Sequence, residues 1–314
     1  MILRELRRGD APEVSREMQL NFGQELSVQG WDASHFQEVV DRSFRFPAGW
    51  VLALLRVLGR PPVHLYVAED GGKIVGTTFL FFQRTHGYIA AVMTDPAFRG
   101  RGIASKLLER AEGACRRRKR RWAVLDVLSH NDVALRLYLK RGYRPLRVQH
   151  WVSRTLDPPP APPAATGSVR PMVDSDLDPL LEMYTAQQPP EVRSILVVER
   201  SWISPPHYLQ SVMVSTAGAW CTGPPGAPTG YVRANFTTPQ EAGHLSAPLL
   251  APTSTAEERN GLLHSALGWL RASGAREVVC EVPAYATEAL RSLLDAGFTE
   301  RWTMDTLALD LTPG

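Results

Sequence analysis

The spacing of apolar residues predicts a chain in which strands and helices alternate. Two apolar runs, 64–69 and 73–83, flank Asp70-Gly71-Gly72, which is typical of a β-hairpin. After Gly102, an apolar stripe at helical spacing predicts a helix with Ile103, Leu107 and Leu108 on its inner face. The first half is therefore predicted as β-α-α-β-β-β-α-β-α-β, with strands at 1–8, 64–69, 73–83, 88–94, 122–128 and 143–156, and helices after Asp10, at 33–58, after Gly102 and at 131–141.

A proline-rich segment divides the chain. It reads DPPPAPPAATGS from Asp157 to Ser168, shows neither helix nor strand periodicity, and favours an extended spacer. On either side the same opening recurs, because Arg4 precedes Asp10 and Arg170 precedes Asp176 before a helical pattern. The sequence therefore predicts two copies of one mixed α/β (α+β) fold, with domains at 1–156 and 168–314 and a linker at 157–167.

Composition narrows the class of protein. The 314 residues are 44% hydrophobic, which suffices for a sizeable core. No apolar run approaches the roughly 20 residues that span a bilayer, and residues 1–10 are too charged for a secretory signal. Three cysteines are too few and too far apart for a disulfide framework or a zinc spacing. We expect a cytoplasmic protein without a membrane partner or a metal.

Charge does not predict a nucleic-acid partner. The net charge is only +3, although residues 116–121 read RRRKRR. Basic clusters can neutralise phosphates, but this run closes the helix predicted after Gly102, where cations oppose the negative end of the helix dipole. We interpret it as a solvated helix end.

One segment has the pattern of an anion site. A strand ends at Thr94, the chain turns through Arg99-Gly100-Arg101-Gly102, and a helix begins immediately. Such a turn leaves several N–H groups unpaired at the positive end of a helix dipole, which favours a phosphate or pyrophosphate. A P-loop would end in Gly-Lys-Ser/Thr, and a dinucleotide fingerprint would have three spaced glycines early in a parallel unit. Neither motif fits, so ATP and NAD are disfavoured.

Two spaced motifs resemble the GNAT superfamily of acyl-CoA N-acyltransferases. The first is R/Q-x-x-G-x-G/A, and the second, after the next strand, is N-x-x-A-x-x-x-Y-x-x-x-G-F/Y. Their fixed positions are Arg99, Gly102 and Ala104 in the first, and Asn131, Ala134, Tyr138, Gly142 and Tyr143 in the second. The resemblance covers nearly all of 1–155 and is strongest over 88–143. It implies two tandem domains, each with a mixed, mostly antiparallel twisted sheet, flanking helices and a central pair of splayed parallel strands.

The resemblance implies acetyl-CoA as the acyl donor. The turn amides would hold the pyrophosphate, the edge of the strand would pair with the pantetheine arm, Asn131 would bind that arm, and Tyr138 would reach the sulfur. The implied binding residues are Val92, Met93, Thr94, Arg99, Gly100, Arg101, Gly102, Ile103, Ala104, Ser105, Asn131 and Tyr138.

Acyl transfer to an amine needs a neutral nitrogen, a donor for the developing oxyanion and a proton for the departing thiolate. The candidate oxyanion donor is the backbone N–H of Met93, and the candidate acid is Tyr138. Because proximity in a ternary complex can supply much of the acceleration, we expect direct attack by the amine, and Cys115 lies on the wrong helix for an acyl-enzyme.

The general base is not evident from the sequence. Many members of the resembled family carry a Glu on the strand before the glycine turn, whereas residues 88–94 contain no carboxylate. Asp126 and His130 are weak candidates, with a structural role as the alternative, and His86 is weaker.

The acceptor is not readable, and either a small-molecule amine or a protein amine is open. Acceptor specificity in the resembled fold usually comes from the helices after the first strand, where Trp31, Phe36, Glu38 and Phe44 are weak substrate candidates or ordinary core residues. An alternative is a non-catalytic acyl-CoA-binding sensor or interaction protein, which the missing base favours. A second is a protein-amine acetyltransferase.

The second copy lacks both motifs. Ser254, Glu257 and Arg259 fall at the positions of Arg99, Gly102 and Ala104, whereas Ala286 and Leu293 fall at those of Asn131 and Tyr138. We predict that this copy does not bind CoA productively. It would instead brace the first copy, contribute to the substrate pocket or mediate a homodimer. Its candidate ligand aromatics are Trp202, Tyr208 and Trp220.

Overall fold

The computed structural model describes residues 1–28, 62–156, 169–204, 216–236 and 242–312. Two compact units divide the chain: 1–27, 31–145 and 306–314 form the first, whereas 28–30 and 146–305 form the second. The helix predicted at 33–58 and the linker at 157–167 lie outside the described residues.

The first unit is a sheet with the strand order β1-β2-β3-β4-β5, followed by the C-terminal part of β13. Neighbouring strands from β1 to β4 are antiparallel, and β4 and β5 are parallel. The predicted hairpin is confirmed as β2 and β3. The elements of this unit are β1 Ile2–Glu5, α1 Ala11–Val28, β2 Val63–Asp70, β3 Lys73–Phe82, β4 His86–Thr94, α2 Ile103–Arg117, β5 Trp122–Leu128, α3 Asp132–Lys140 and β13 Thr299–Asp310, of which the residues from Thr306 belong here.

Helices α1 and α2 cover opposite faces of this sheet. Successive side chains of a strand point to opposite faces, and neighbouring residues of β3 separate accordingly. Phe79 packs in one cluster with Val14 of α1, whereas Leu80 packs in another with Leu107 and Leu108 of α2.

A buried carboxylate ties α2 to the end of α3. Glu112 of α2 accepts two hydrogen bonds from Arg141, at 3.1 and 2.7 Å, and a third from the hydroxyl of Tyr143, at 3.2 Å. Because Glu112 is buried, its charge requires these partners.

The second unit has the same order of pairings. From β7 to β10 neighbouring strands are antiparallel, and β10 then runs parallel to β12. The elements are β6 Arg144–Thr155, of which the residues from Leu146 belong here, β7 Val169–Pro171, α4 Leu177–Gln187, α5 Pro190–Ile195, α6 Arg200–Ile203, β8 Thr216–Thr222, β9 Gly230–Phe236, β10 Ala242–Ser246, β11 Leu249–Leu250, α7 Ala256–Ala272, β12 Glu277–Pro283, α8 Thr287–Asp295 and the first part of β13.

The same ion pair opens both units. Arg4 donates to both carboxylate oxygens of Asp10, at 2.6 and 2.9 Å, and Arg170 donates to both oxygens of Asp176, at 2.7 and 2.8 Å. The hydrogen bonds from Arg170 lower the pKa of Asp176 to about 2. The internal repeat read from the sequence therefore extends to matching side-chain contacts.

The compact units divide the chain at different positions from the sequence-based domains. Residues 146–156 count with the second unit rather than the first, and residues 306–314 count with the first. The physical reason is strand pairing, because β6 pairs with β12 along seven residues, from Gln149 opposite Pro283 to Thr155 opposite Glu277. Within the first unit, Leu311 N donates to Arg121 O at the edge of β5.

No helix in the described part of the chain is long and apolar enough to cross a membrane.

We predict that Arg141→Ala destabilises the first unit by about 3–5 kcal/mol, because it leaves the buried Glu112 carboxylate without its charged partner. Urea unfolding followed by tryptophan fluorescence measures the change. The control is Arg136→Ala, which removes an exposed arginine from α3 and is expected to change stability by less than about 0.5 kcal/mol. Equal effects of the two variants would contradict the role given to the Glu112 pair.

Candidate acyl-donor site

The glycine turn presents main-chain amides that have no partner among the described residues. Gly100 and Gly102 have φ of +76° and +74°, a region that glycine adopts readily, and both are exposed. Gly102 is the N-cap of α2 and no side chain caps the helix. Within residues 100–106 of the described chain, the first recorded amide bond is Lys106 N to Gly102 O. The amides at the start of α2 are therefore open in the described chain, and the binding of a pyrophosphate to them stays a prediction.

Cationic side chains flank this turn. Arg99 donates to Asn21 Oδ1 at 3.0 Å, which ties the turn to α1. The guanidinium of Arg101 lies 4.8 Å from the ring centroid of Phe98, which leaves its charge at the exposed edge of the turn. Both charges favour an anion.

The parallel strands β4 and β5 separate beside the turn. They pair only from His86 opposite Trp122 to Ile89 opposite Leu125, although β4 continues to Thr94. The register between β3 and β4 shifts by one residue at the same level, and Ala91 has φ of +51°. This β-bulge turns β4 away from β5 and opens the edge that the sequence-based hypothesis gives to the pantetheine arm.

The register turns the Met93 amide away from this gap. Asp95 N donates to Val75 O, so Met93, two residues earlier and opposite Thr77, also directs its amide toward β3. This is a correction to the choice of Met93 as oxyanion donor. By alternation along the strand, the amides of Val92 and Thr94 face the gap instead.

Two unpaired hydroxyl groups flank the opening. Thr94 Oγ1, at the end of β4, and Ser129 Oγ, just after β5, are buried and have no hydrogen-bond partner in the described part of the chain. Burying a hydroxyl without a partner is unfavourable, so a polar ligand in the gap would satisfy both groups. Together with the open amides, these residues fit a ligand that joins an anionic group to an amide-bearing arm.

Tyr138 lies on α3 and is almost entirely buried. Its ring centroid is 5.9 Å from that of Tyr143, and burial raises its pKa to about 12. Among the described residues, no hydrogen bond to its hydroxyl is recorded. The phenol is therefore protonated near neutral pH, so it can donate a proton but cannot act as a base.

Asn131 has a structural contact at the start of α3. Its Oδ1 accepts a hydrogen bond from Ala134 N at 3.1 Å, which caps the helix. This contact leaves its Nδ2 group available, so a role in binding the cofactor arm stays a prediction.

Asp126, His130 and His86 are the weak candidates for the general base. Asp126 accepts hydrogen bonds from Tyr88 Oη at 2.7 Å and from Thr306 Oγ1 at 2.5 Å, so each of its oxygens already has a partner. His130 is exposed, and His86 lies at the start of β4, five residues before the bulge. Asp126 is thus best explained as a structural bridge.

Cys115 is buried against β4 and is not suited to nucleophilic attack. An added Cβ at Gly87 would lie 2.2 Å from its Sγ, which shows how closely the strand approaches. Burial raises the pKa of Cys115 to about 12, so the thiolate is scarce near neutral pH.

The corresponding helix of the second unit is closed by its own side chains. Thr255 Oγ1 accepts a hydrogen bond from Glu258 N at 3.2 Å, and Glu258 Oε2 accepts one from Thr255 N at 2.8 Å. Thr229 Oγ1 donates to the second Glu258 oxygen at 2.8 Å. A carboxylate therefore occupies the N-terminal end of α7. The Thr-x-x-Glu spacing is the sequence signal of this capping box, which involves Glu258 rather than Glu257.

Other predicted residues of the second unit have packing partners. Leu293, at the position of Tyr138, is fully buried and offers no proton. The rings of Trp202 and Trp220 pack edge to face against Tyr184 and Trp269. Tyr208 lies outside the described residues, as do the substrate candidates Trp31, Phe36, Glu38 and Phe44.

Part of the basic run packs on the protein itself. The guanidinium groups of Arg118 and Arg121 lie 4.4 and 4.9 Å from the ring centroids of Phe82 and Trp122. Arg121 also forms an ion pair with Asp310 at 3.0 Å. Across the described residues, no group of three or more His, Cys, Asp or Glu side chains has the arrangement of a metal site.

Comparison with known proteins finds a family match in the N-terminal part of the chain. Residues 27–143 match the family model described as "Acetyltransferase (GNAT) family". The YxbD protein of Bacillus subtilis (strain 168), described as uncharacterized, is 37% identical over 76 residues. The alignment covers 24% of this chain and 46% of that relative, so the chain spans less than half of its length.

Solved structures share the fold along the whole chain. A GCN5-related N-acetyltransferase from Sphaerobacter thermophilus is 20% identical, with a TM-score of 0.68 and coverage of 100% of this chain and 96% of that one. A tandem GNAT protein from the clavulanic acid biosynthesis pathway is 15% identical, with a TM-score of 0.64 and coverage of 100% and 99%. The predicted tandem fold is therefore confirmed.

Proposed function

We propose that the first unit, which contains most of the residues that match the acetyltransferase (GNAT) family, transfers an acetyl group from acetyl-CoA to a primary amine. The observation that carries the proposal is the difference between the two helix starts. The amides at the start of α2 are open beside two arginines, whereas those at the start of α7 are capped by Thr255 and Glu258.

Different residues of the first unit would bind different parts of acetyl-CoA. The amides from Gly102 to Ser105, with Arg99 and Arg101, would hold the diphosphate, because the helix dipole and the guanidinium charges both favour an anion. The free edge of β4 beyond Ala91 would pair with the amides of the pantetheine arm. Thr94 and Ser129 would donate to its polar groups.

The same residues supply two requirements of acyl transfer. An amide of Val92 or Thr94 would donate to the oxygen of the thioester carbonyl as it gains charge, a role usually worth about 10²–10³-fold in kcat. Tyr138, protonated near neutral pH, would donate its proton to the departing sulfur. Direct attack agrees with the buried, protonated state of Cys115.

A screen of amines with acetyl-CoA tests the proposal. Benzylamine, spermidine and a peptide with a free N-terminus sample aryl, polyamine and protein-type acceptors, and release of free thiol measures turnover. Amine-dependent thiol release supports the proposal, and a preference for the peptide would favour the protein-amine alternative. Tight binding of acetyl-CoA without turnover of any amine would contradict catalysis and favour a non-catalytic sensor.

We predict that Tyr138→Phe lowers kcat by about 10²–10⁴-fold, since it removes the proton donor, and changes the Kd for acetyl-CoA by less than about twofold. Steady-state kinetics and calorimetry measure the two effects. Tyr143→Phe is the matched control, because its hydroxyl donates to Glu112 and its loss should lower stability rather than kcat. Unchanged kcat in Tyr138→Phe would remove this residue from the mechanism.

We predict that Gly102→Val weakens acetyl-CoA binding by at least about tenfold, because a branched side chain strains the left-handed N-cap and enters the opening. Gly71→Val is the control, since Gly71 also has a positive φ, of +58°, and open space around it, but lies in the β2–β3 turn. Calorimetry should give wild-type affinity for the Gly71 variant. Wild-type affinity in the Gly102 variant would count against the placement of the diphosphate.

A further inference from the structure

Glu17 of α1 is a buried acid that nothing in the described structure explains. Its side chain is essentially inaccessible to solvent. One oxygen, Oε1, lies 3.2 Å from Arg16 Nη2, and the other, Oε2, is buried and has no hydrogen-bond partner among the described residues. A buried carboxylate oxygen without a partner is unfavourable, so its presence calls for an explanation.

The position of Glu17 along α1 places it beside the acyl-donor site. Val14, Glu17 and Asn21 recur at helical spacing and share the inner face of the helix. At one end of this face, Val14 packs in the cluster that includes Ala91, the residue at the bulge of β4. At the other end, Asn21 accepts the hydrogen bond from Arg99 of the glycine turn and donates to Glu17 O at 2.8 Å. Glu17 therefore lies between the bulge and the turn.

Burial, with the negative charge of Asp95, favours the protonated form of Glu17. Asp95, at the end of β4, is near enough to repel it, whereas Arg16 and Lys73 act in the opposite direction and Glu13 adds a further negative charge. Lys73 is engaged by Asp95, at 2.5 Å. Burial first, and then the charge of Asp95, raise the pKa of Glu17 above its ordinary value. A carboxylate with a raised pKa is a stronger base than an exposed one.

We propose that Glu17 is the general base of the acetyl transfer, with its unpartnered Oε2 directed to the acceptor nitrogen. The proposal rests on the proposed function and supplies the base that β4 lacks. The acceptor ammonium gives its first proton to Glu17, which frees the lone pair that forms the N–C bond. As the C–S bond breaks, the second proton leaves the nitrogen and replaces the one that Tyr138 gives to sulfur. The proton on Glu17 then passes to water.

The main test compares Glu17→Gln with Glu13→Gln in the full chain. Glu13 lies one turn earlier on α1, is partly exposed and also faces Arg16, so its variant controls for the loss of a negative charge. With acetyl-CoA and the best amine of the screen, Glu17→Gln should lose at least about 100-fold in kcat/KM near neutral pH. Glu13→Gln should stay near wild type, and the Kd for acetyl-CoA should be unchanged in both.

The pH dependence separates a base from a structural residue. Wild-type kcat/KM should fall below the raised pKa of Glu17 as the carboxylate gains a proton, and this acid limb should be absent in Glu17→Gln. The deficit of the variant should shrink at alkaline pH, where the amine is already neutral. It should also be small with hydroxylamine, which is uncharged near neutral pH and does not need a base to free its lone pair.

Stability gives a second, independent readout. Because the folded state raises the pKa of Glu17, the ionised carboxylate destabilises the fold above the ordinary carboxyl pKa. Glu17→Gln should therefore melt at the same or a higher temperature near neutral pH, whereas loss of a structural partner of Arg16 would lower it. Glu17→Asp, which keeps the charge but shortens the side chain, should retain more activity than the glutamine variant.

The outcomes distinguish this inference from the proposed function. If wild type acetylates an amine and Glu17→Gln retains kcat/KM within about threefold with the same acid limb, the role of Glu17 is overturned and the proposed function stands. An equal loss with hydroxylamine and with the amine, together with a lower melting temperature, would also overturn it. If wild type acetylates no amine, both fall.

Discussion

The chemistry proposed for the first unit depends on a set of backbone donors that are unsatisfied in the described residues. A helix begins directly after a left-handed glycine, and the amides of its first turn have no acceptor among the residues that the structure describes. Such groups become useful when an anion binds them. In the sheet beside the turn, β4 also separates from β5. There the hydroxyls of Thr94 and Ser129 have no hydrogen-bond partner among the described residues, so a ligand could satisfy them too.

The second unit has the same fold, but the amides at the start of its corresponding helix are capped. Its strands repeat the antiparallel and parallel pairings, and Arg170 and Asp176 repeat the contact of Arg4 and Asp10. At the helix start, however, Thr255 and Glu258 satisfy each other, and a carboxylate lies where an anion would bind. The Arg–Asp pair is present in both units and therefore belongs to the fold. The open turn is present in the first unit and not in the second, and we therefore attribute it to the chemistry.

Sequence patterns were sufficient for the parts of this account that depend on local spacing. The hairpin at Asp70-Gly71-Gly72, the helix after Gly102 and the repeat follow from periodicity and turn chemistry. Features that depend on strand register could not be read from the sequence. The pairing of Met93 with β3 sets the direction of its amide. Long-range strand pairing accounts for the assignment of residues 146–156 to the second unit and of residues 306–314 to the first. Glu17 was missed because a single acid on an amphipathic helix gives no sign that its side chain is buried.

Hydrogen exchange of individual backbone amides, measured with and without coenzyme A, tests the central claim most directly. The account predicts that the amides of residues 102–105 exchange rapidly in the free protein and become protected when coenzyme A is added, whereas the first turn of α7 does not change. Unchanged exchange at 102–105 under saturating coenzyme A, or equal protection at both helix starts, would contradict it.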